Sequence, residues 1–350
     1  MVHEARSVAG MLQALQDVTS CQGFEDLALR NPVRNRRTLY RWRRSLGTSL
    51  QVVPSFTLER LGLSHLHLVI TKPAPAWLRF PYAVEHAWLT SDFLERQLYL
   101  HCIVPTAHKA DVRSLVRECQ EVGWCTKAVV SWSSSGWQEL PDAPTRNAPV
   151  EWPLTADDAI LGEYPLVVPA MFEAWCHAQS LSSVWAAIRD RVGDRLRSYV
   201  PRGRIYFVNG KVHVRKAYEL LNDHGLFRQH IVRYHPWLND NVEVFVFLKN
   251  NNGWLAEFTE AIRPGSAAIE TYNGSDGTAV VRVIGHDDLL RTLLGLQDEF
   301  QRHAATVYLR NATAKDDTRV RFSYEFLFDP KTGTWVFPHD QIMDYMRETQ

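Results

Sequence analysis

Six arginines fall within eleven residues of this 350-residue chain: Arg34, Arg36, Arg37, Arg41, Arg43 and Arg44. Asn35, Thr38 and Tyr40 lie among them. A guanidinium grips phosphate and can bond a guanine edge in two places, and an asparagine amide can do the same with adenine. On a helix, successive residues turn by about 100°, so these side chains spread over the arc away from Val33, Leu39, Trp42 and Leu46. The chemistry that follows is contact with duplex DNA from a helix in the major groove. Arg34, Asn35, Arg36, Arg37, Thr38, Tyr40, Arg41 and Arg44 are the expected contacts. A solvated basic face or an internal ion-pair surface has the same composition.

A second, weaker basic group consists of Lys211, His213, Arg215 and Lys216, offset by Glu219 and Asp223. It is expected to contact DNA as well, or to survive only for packing. Two turns, Thr90-Ser91-Asp92 and Asn273-Gly274-Ser275-Asp276, sit at corresponding places in the two halves. Ordinary turn chemistry accounts for these residue types. The functional alternative is a small ligand held at the turns. His65, His67, His86, His101 and His108 are scattered over strands and loops without metal-ligand spacing, so no metal is expected. No glycine-rich phosphate loop, nucleophile elbow or triad is visible, so neither catalysis nor a cofactor is expected.

The elements that must carry these residues come in two sets. Three short helical patterns, around residues 7–17, 24–29 and 33–46, precede Gly47, a plausible helix stop. This is the outline of a helix-turn-helix. An arm over Gln51–Val53 and a linker over Pro54–Leu63 follow. Then come strands at 65–71, 84–89, 98–104 and 125–132, a short helix near Ala76–Leu78, and an amphipathic helix over Ala107–Val122. Val112, Leu115, Val116 and Cys119 form the apolar stripe of that last helix. The order is βαββαβ, an α+β unit with helices on one face.

Beyond a proline-rich linker the pattern returns. Asp223-His224-Gly225 matches Ser45-Leu46-Gly47 at an offset of 225 − 47 = 178 residues. A strand at 242–249, a helix at 253–262, a hairpin of 268–272 with 279–284, a helix at 287–303 and strands at 306–309 and 319–328 repeat the order. A short strand over 335–337 and a terminal helix close the chain. The boundaries expected are 1–63 for a helix-turn-helix with its arm, 64–140 for a ferredoxin-like domain and 141–166 for a linker. A second helix-turn-helix-like domain at 167–241 and a second ferredoxin-like domain with an extension at 242–350 complete the set. Each helix-turn-helix would be winged-helix-like. Such a duplication lets two halves pack as a pseudo-symmetric pair within one polypeptide.

Composition sets the outer bounds. Thirty-nine basic and 39 acidic side chains cancel, so any affinity for nucleic acid must come from a local patch. Five cysteines, odd in number and without CxxC spacing, argue against a zinc site or a disulfide framework and for a reducing compartment. The first residues lack the apolar stretch of a signal peptide, and no apolar run reaches 18 residues. A cytoplasmic protein without membrane contact is the expectation.

Taken together, these elements resemble the Lrp/AsnC (feast/famine) transcriptional regulators, a prokaryotic family. The resemblance rests on Leu220-Leu221-Asn222-Asp223-His224-Gly225-Leu226-Phe227 followed by strand Val244–Leu248. In the first copy it rests on Arg43-Arg44-Ser45-Leu46-Gly47, Val52-Val53 and Leu61-Gly62-Leu63. The turns at Asp92 and Asp276 are similar to the family's Gly-x-Asp hairpin. The chain departs from the pattern in carrying two units, in having Thr90-Ser91 where glycine is usual, and in the low charge of its second helix-turn-helix. The resemblance implies a sequence-specific DNA-binding regulator whose partner is double-stranded DNA. It implies dimer-like packing of 64–140 on 242–328, with further homodimerisation left open. It also implies an effector, an amino acid or similar, near Thr90, Ser91, Asp92, Asn273, Gly274, Ser275 and Asp276. Two other readings stay open. One is a siroheme decarboxylase-like enzyme with His86, His101 or His230 at a tetrapyrrole. The other is an interaction scaffold that does not bind DNA.

Overall fold

The computed structural model describes residues 50–91, 95–133, 135–139, 141, 227–234, 242–249, 253–274, 276–310, 327–329, 332 and 334–348. It is a mixed α+β structure built on a large antiparallel sheet. In the first half, β2 (Leu63–Thr71) leads through a short 3-10 helix (Pro75–Arg79) to β3 (Ala83–Thr90) and β4 (Arg96–Pro105). Then follow α1 (Lys109–Glu121), β5 (Lys127–Ser133) and β6 (Ser135–Glu139). In the second half, β8 (Val242–Leu248), α2 (Trp254–Ile262), β9 (Ser266–Asn273) and β10 (Ala279–Gly285) come first. They are followed by α3 (Asp287–Gly295), α4 (Gln297–Arg302) and β11 (Ala305–Arg310).

The strands lie in the order β5-β2-β4-β3-β11-β8-β10-β9-β6. Numbered within its own half, each set of four strands has the order 4-1-3-2. The halves pair edge to edge at both seams. β11 of the second half pairs with β3 of the first, Leu309 opposite Thr90, and β6 of the first pairs with β9 of the second, Trp137 opposite Thr271. The two ends of this order, β5 and β6, are separated in sequence by the single residue 134. The sheet therefore turns back on itself, and its faces meet.

Alternation along β8 shows how the two faces are used. Val244, Val246 and Leu248 pack under the helices with Trp254, Phe258, Ile262, Leu289 and Phe300. Phe245 and Phe247 point the other way, onto Val69, Ala87, Leu89 and Tyr99 of the first half. Both faces are buried, which is why these strands read as nearly unbroken apolar runs. In α1 the buried residues are Val112, Leu115, Val116 and Cys119, the stripe that the spacing predicts.

Several boundaries differ from the sequence reading. Pro54–Phe56 belongs to a strand, β1 (Leu50–Phe56), instead of a linker, and Leu58–Leu61 forms a 3-10 helix that ends on Gly62 at φ +66°. A left-handed residue there costs glycine nothing. β1 pairs antiparallel with β7 (Phe227–Tyr234) in a separate two-stranded ribbon. The long helix expected over 287–303 is broken at Leu296. Phe328-Asp329 (β12) pairs with Thr334-Trp335 (β13) instead of the main sheet, and residues 319–326 lie outside the described residues.

The first half lacks a counterpart of α2. Pro73 and Pro75 confine the chain there to five 3-10 residues. The C-terminal helix α5 (His339–Arg347) packs against this 3-10 helix, with Ile342, Met343 and Met346 buried. Each of those three side chains contributes up to about 1.5–3 kcal/mol by leaving water.

Candidate functional site

The inner faces of the two halves bring together polar side chains that the sequence scatters over 245 positions, from His65 to Arg310 (310 − 65). On β2, His65, His67 and Val69 share one face. On β4, His101 stands directly opposite His67, and Tyr99 opposite Val69. His65 Nδ1 lies 2.9 Å from His101 Nε2, and His67 Nδ1 lies 2.9 Å from the Tyr99 hydroxyl. The imidazoles of His67 and His101 are stacked, 4.7 Å apart at 8°, and Tyr272 of β9 tilts over His67 at 4.4 Å. Tyr272 can approach because β6 has glycine at 136. A Cβ there would sit 2.5 Å from the tyrosine ring.

Next to this stack lies a buried ionic cluster. The Arg282 guanidinium donates to Glu85 (Nη2 at 3.0 Å), to Glu243 through Nε, and to Glu270 (Nη1 at 3.5 Å). Arg310 also donates to Glu243, at 2.6 Å. Glu270 accepts from the Gln138 amide at 2.9 Å and from the Tyr272 hydroxyl at 3.1 Å. The cluster thus draws on β3, β6, β8, β9, β10 and β11. Burial alone pulls the Arg282 pKa down, but Glu243, then Glu85 and Glu270, outweigh it and raise it well above the ordinary value. Burial, with a smaller contribution from His65, holds His67 well below the usual imidazole range, so that ring is neutral in the fold. Burial likewise pushes the Tyr99 phenol upward.

Among the described residues no group of three or more His, Cys, Asp or Glu is arranged to bind a metal ion. His86 stands opposite Leu100 and His101 opposite Glu85, so His86 and His101 point to opposite faces of the sheet. His230 lies in the β1–β7 ribbon.

The turns singled out in the sequence occupy matching places. Thr90 ends β3, with Ser91 just beyond it, beside β11 of the other half, where Thr90 Oγ1 donates to the Leu309 carbonyl at 3.4 Å. Asp92 lies outside the described residues. In the second half, the Gly274 amide donates to the Thr278 carbonyl at 2.8 Å. Asp276 accepts from the Thr278 amide at 3.1 Å and its hydroxyl at 2.6 Å, while Ser275 lies outside the described residues. A Cβ on Gly274 would meet the Trp132 carbonyl at 2.4 Å, so this turn presses on the end of β5. Lys109 Nζ and the Arg113 guanidinium stand 5.5 and 5.7 Å from the Trp132 ring. Partial burial and Arg113 pull the Lys109 pKa down, and Asp276 opposes them. Burial raises the Asp276 pKa, but hydrogen bonds from Thr278 outweigh it and the carboxyl ends below its ordinary value. Each turn thus lies against the last strand of the opposite half, and the second adds two cations, a carboxylate and an indole.

Arg34, Asn35, Arg36, Arg37, Thr38, Tyr40, Arg41, Arg44, Lys211, His213, Arg215 and Lys216 lie outside the described residues. The sequence alone does not single out the ionic cluster, although it carries a trace of it. Arg282 is the one charged residue in Ala279–Gly285, a run otherwise apolar on both faces.

No family model matches the chain, and no curated protein matches it in sequence. No described helix is long and apolar enough to cross a membrane.

Proposed function

We propose that the chain is a sequence-specific DNA-binding transcriptional regulator, a tandem form similar to the Lrp/AsnC regulators. In this reading each half is a ferredoxin-like unit preceded by a helix-turn-helix, and the basic segment 33–46 enters the major groove. The observation that carries it is the β1–β7 ribbon. Leu50 stands opposite Tyr234 and Phe56 opposite Phe227. The two segments that precede these strands therefore join the ribbon at opposite ends. Six residue steps at about 3.4 Å put those ends about 20 Å apart. Segments extending outward from them can reach half-sites about 34 Å apart, one turn of duplex. The shared 4-1-3-2 strand order supports the ferredoxin-like reading of both halves.

The turns support a second element of the same proposal. Lys109, Arg113 and Asp276 supply the charges that an amino acid's carboxylate and ammonium would need, which suits an effector at the Asn273–Asp276 turn.

The test is a salt series of binding to DNA from the protein's own promoter region and to random duplex. If four phosphates are neutralised, the log–log slope is about −3.6. Replacing Arg36 and Arg37 together by alanine weakens operator binding by about 1–3 kcal/mol for each bidentate base pairing that the guanidinium made. Operator affinity unchanged in that double variant, or no preference for the promoter duplex, rejects the proposal.

A further inference from the structure

Two cations of α1 stand over one indole. Lys109 Nζ and the Arg113 guanidinium lie 5.5 and 5.7 Å from the Trp132 ring of β5. Among the described residues neither cation forms an ion pair. The carboxylates around them are engaged elsewhere. Asp111 accepts from His108 at 2.8 Å, and Asp276 accepts from the Thr278 amide at 3.1 Å and its hydroxyl at 2.6 Å. Trp132 is buried, and its indole N–H finds no acceptor among the described residues. Three donors without an acceptor thus gather at one ring. Like charges one helical turn apart repel, and a buried N–H left unpaired is costly. An anion relieves both, and the first turn of α1, where Lys109 stands, adds its own bias toward negative charge.

The second half does not repeat this arrangement. Residues that stand opposite one another fix the correspondence. In the first half Glu85, His101, His67 and Ser131 run across β3, β4, β2 and β5. In the second, Glu270, Arg282, Phe245 and Tyr308 run across β9, β10, β8 and β11. The residue after Ser131 is Trp132 and the residue after Tyr308 is Leu309, an offset of 177 (309 − 132). The same offset carries Val112 and Val116 of α1 onto Leu289 and Leu293 of α3, all four buried. It carries Lys109 onto His286 and Arg113 onto Leu290. Asp287 and Asp288 occupy the first turn of α3. Leucines and two carboxylates therefore stand where the first half has cations and an indole.

We infer that Lys109, Arg113 and the Trp132 N–H hold the carboxylate of one small ligand per chain, and that the matching place in the second half holds none. The inference deepens the effector reading of the Asn273–Asp276 turn and rests on it. It assigns the end of the ligand that α1 takes and the number of ligands that a chain takes. The ligand lies at a seam, between α1 and β5 of the first half and the turn of the second half, whose Gly274 presses on the Trp132 carbonyl.

The test is a titration of the full chain, carrying nitrogen-15 in its tryptophans, with acetate, glycine and inorganic phosphate in turn at constant ionic strength. Trp132→Phe identifies the Trp132 indole signal. That signal is expected to move saturably with acetate and with glycine. Arg113→Gln is expected to weaken both about tenfold, the worth of one hydrogen bond to a charged group. Lys109→Gln/Arg113→Gln is expected to leave no saturable shift in any indole. Saturable shifts that survive in this double variant overturn the inference. If Asp276→Asn then abolishes them, the effector reading of the turn stands without it. Phosphate that saturates the Trp132 signal where acetate does not overturns the carboxylate assignment. No saturable movement with any of the three overturns the site, and leaves the DNA reading to the promoter salt series, which does not depend on it.

Discussion

Replacing Arg282 by methionine separates charge pairing from packing in the core. Methionine keeps much of the length and apolar bulk, and removes the guanidinium. Glu243 would still have Arg310 at 2.6 Å, and Glu270 would keep Gln138 at 2.9 Å and Tyr272 at 3.1 Å. Glu85 would give up two guanidinium hydrogen bonds, at 3.0 and 3.2 Å. The loss is thus close to that of one broken buried pair, not three, or about 3–5 kcal/mol. Urea denaturation near neutral pH measures it from the midpoint and slope. A carboxylate left without its cation in the interior takes up a proton more readily, so the gap between variant and wild type should shrink toward about pH 5. A loss below about 1 kcal/mol at neutral pH would refute the reasoning. It would mean that the three carboxylates do not depend on Arg282.

Two further predictions concern the imidazole stack. His67 has its pKa lowered in the fold from 6.5, so below about 6.5 the unfolded chain binds a proton that the folded chain does not. Its contribution to stability is present above that pH and is lost as pH falls, with a slope of up to about 1.4 kcal/mol per pH unit. Denaturation midpoints from about pH 7 down to about pH 5 should therefore fall less steeply in His67→Gln, and parallel profiles would show that His67 is not the source. Gly136→Ala puts a methyl against the ring of a buried tyrosine and should cost about 1–3 kcal/mol. Tyr272→Leu in the same background makes room and should recover part of that loss, whereas equal damage with and without Tyr272 would place the strain elsewhere.

Local pattern is enough to place most strands and helices. The Val112/Leu115/Val116/Cys119 stripe announces α1, and the nearly unbroken apolar run Val242–Leu248 announces β8. Proline spacing announces the weak 3-10 helix at 75–79. What local pattern does not carry is who pairs with whom. Ser135–Glu139 has no strand signature, since it reads Ser-Gly-Trp-Gln-Glu, and it becomes β6 only because β9 offers an edge. The terminal helix is legible as a helix, but its docking on the first half depends on the absence there of a counterpart of α2. The break at Leu296 is hidden because Leu290, Leu293, Leu294 and Phe300 keep a helical spacing across it. The ionic cluster is illegible for a related reason. Glu85, Glu243, Glu270 and Arg282 each look like one stray charge in an apolar strand, and only the folded sheet sums them. The candidate DNA-binding residues of the first half rest on arginine density and on their place in the third helical pattern before Gly47.

The pairing of β3 with β11 across the halves has a consequence for biosynthesis. β3 ends at Thr90, but its neighbour β11 begins at Ala305, 215 residues later (305 − 90). At about 5–20 residues per second, Leu89 and Thr90, the two residues of β3 that β11 covers, wait roughly 10–40 s for their partners. That seam therefore closes only when nearly the whole chain has been made, and until then the end of β3 is an uncovered sheet edge.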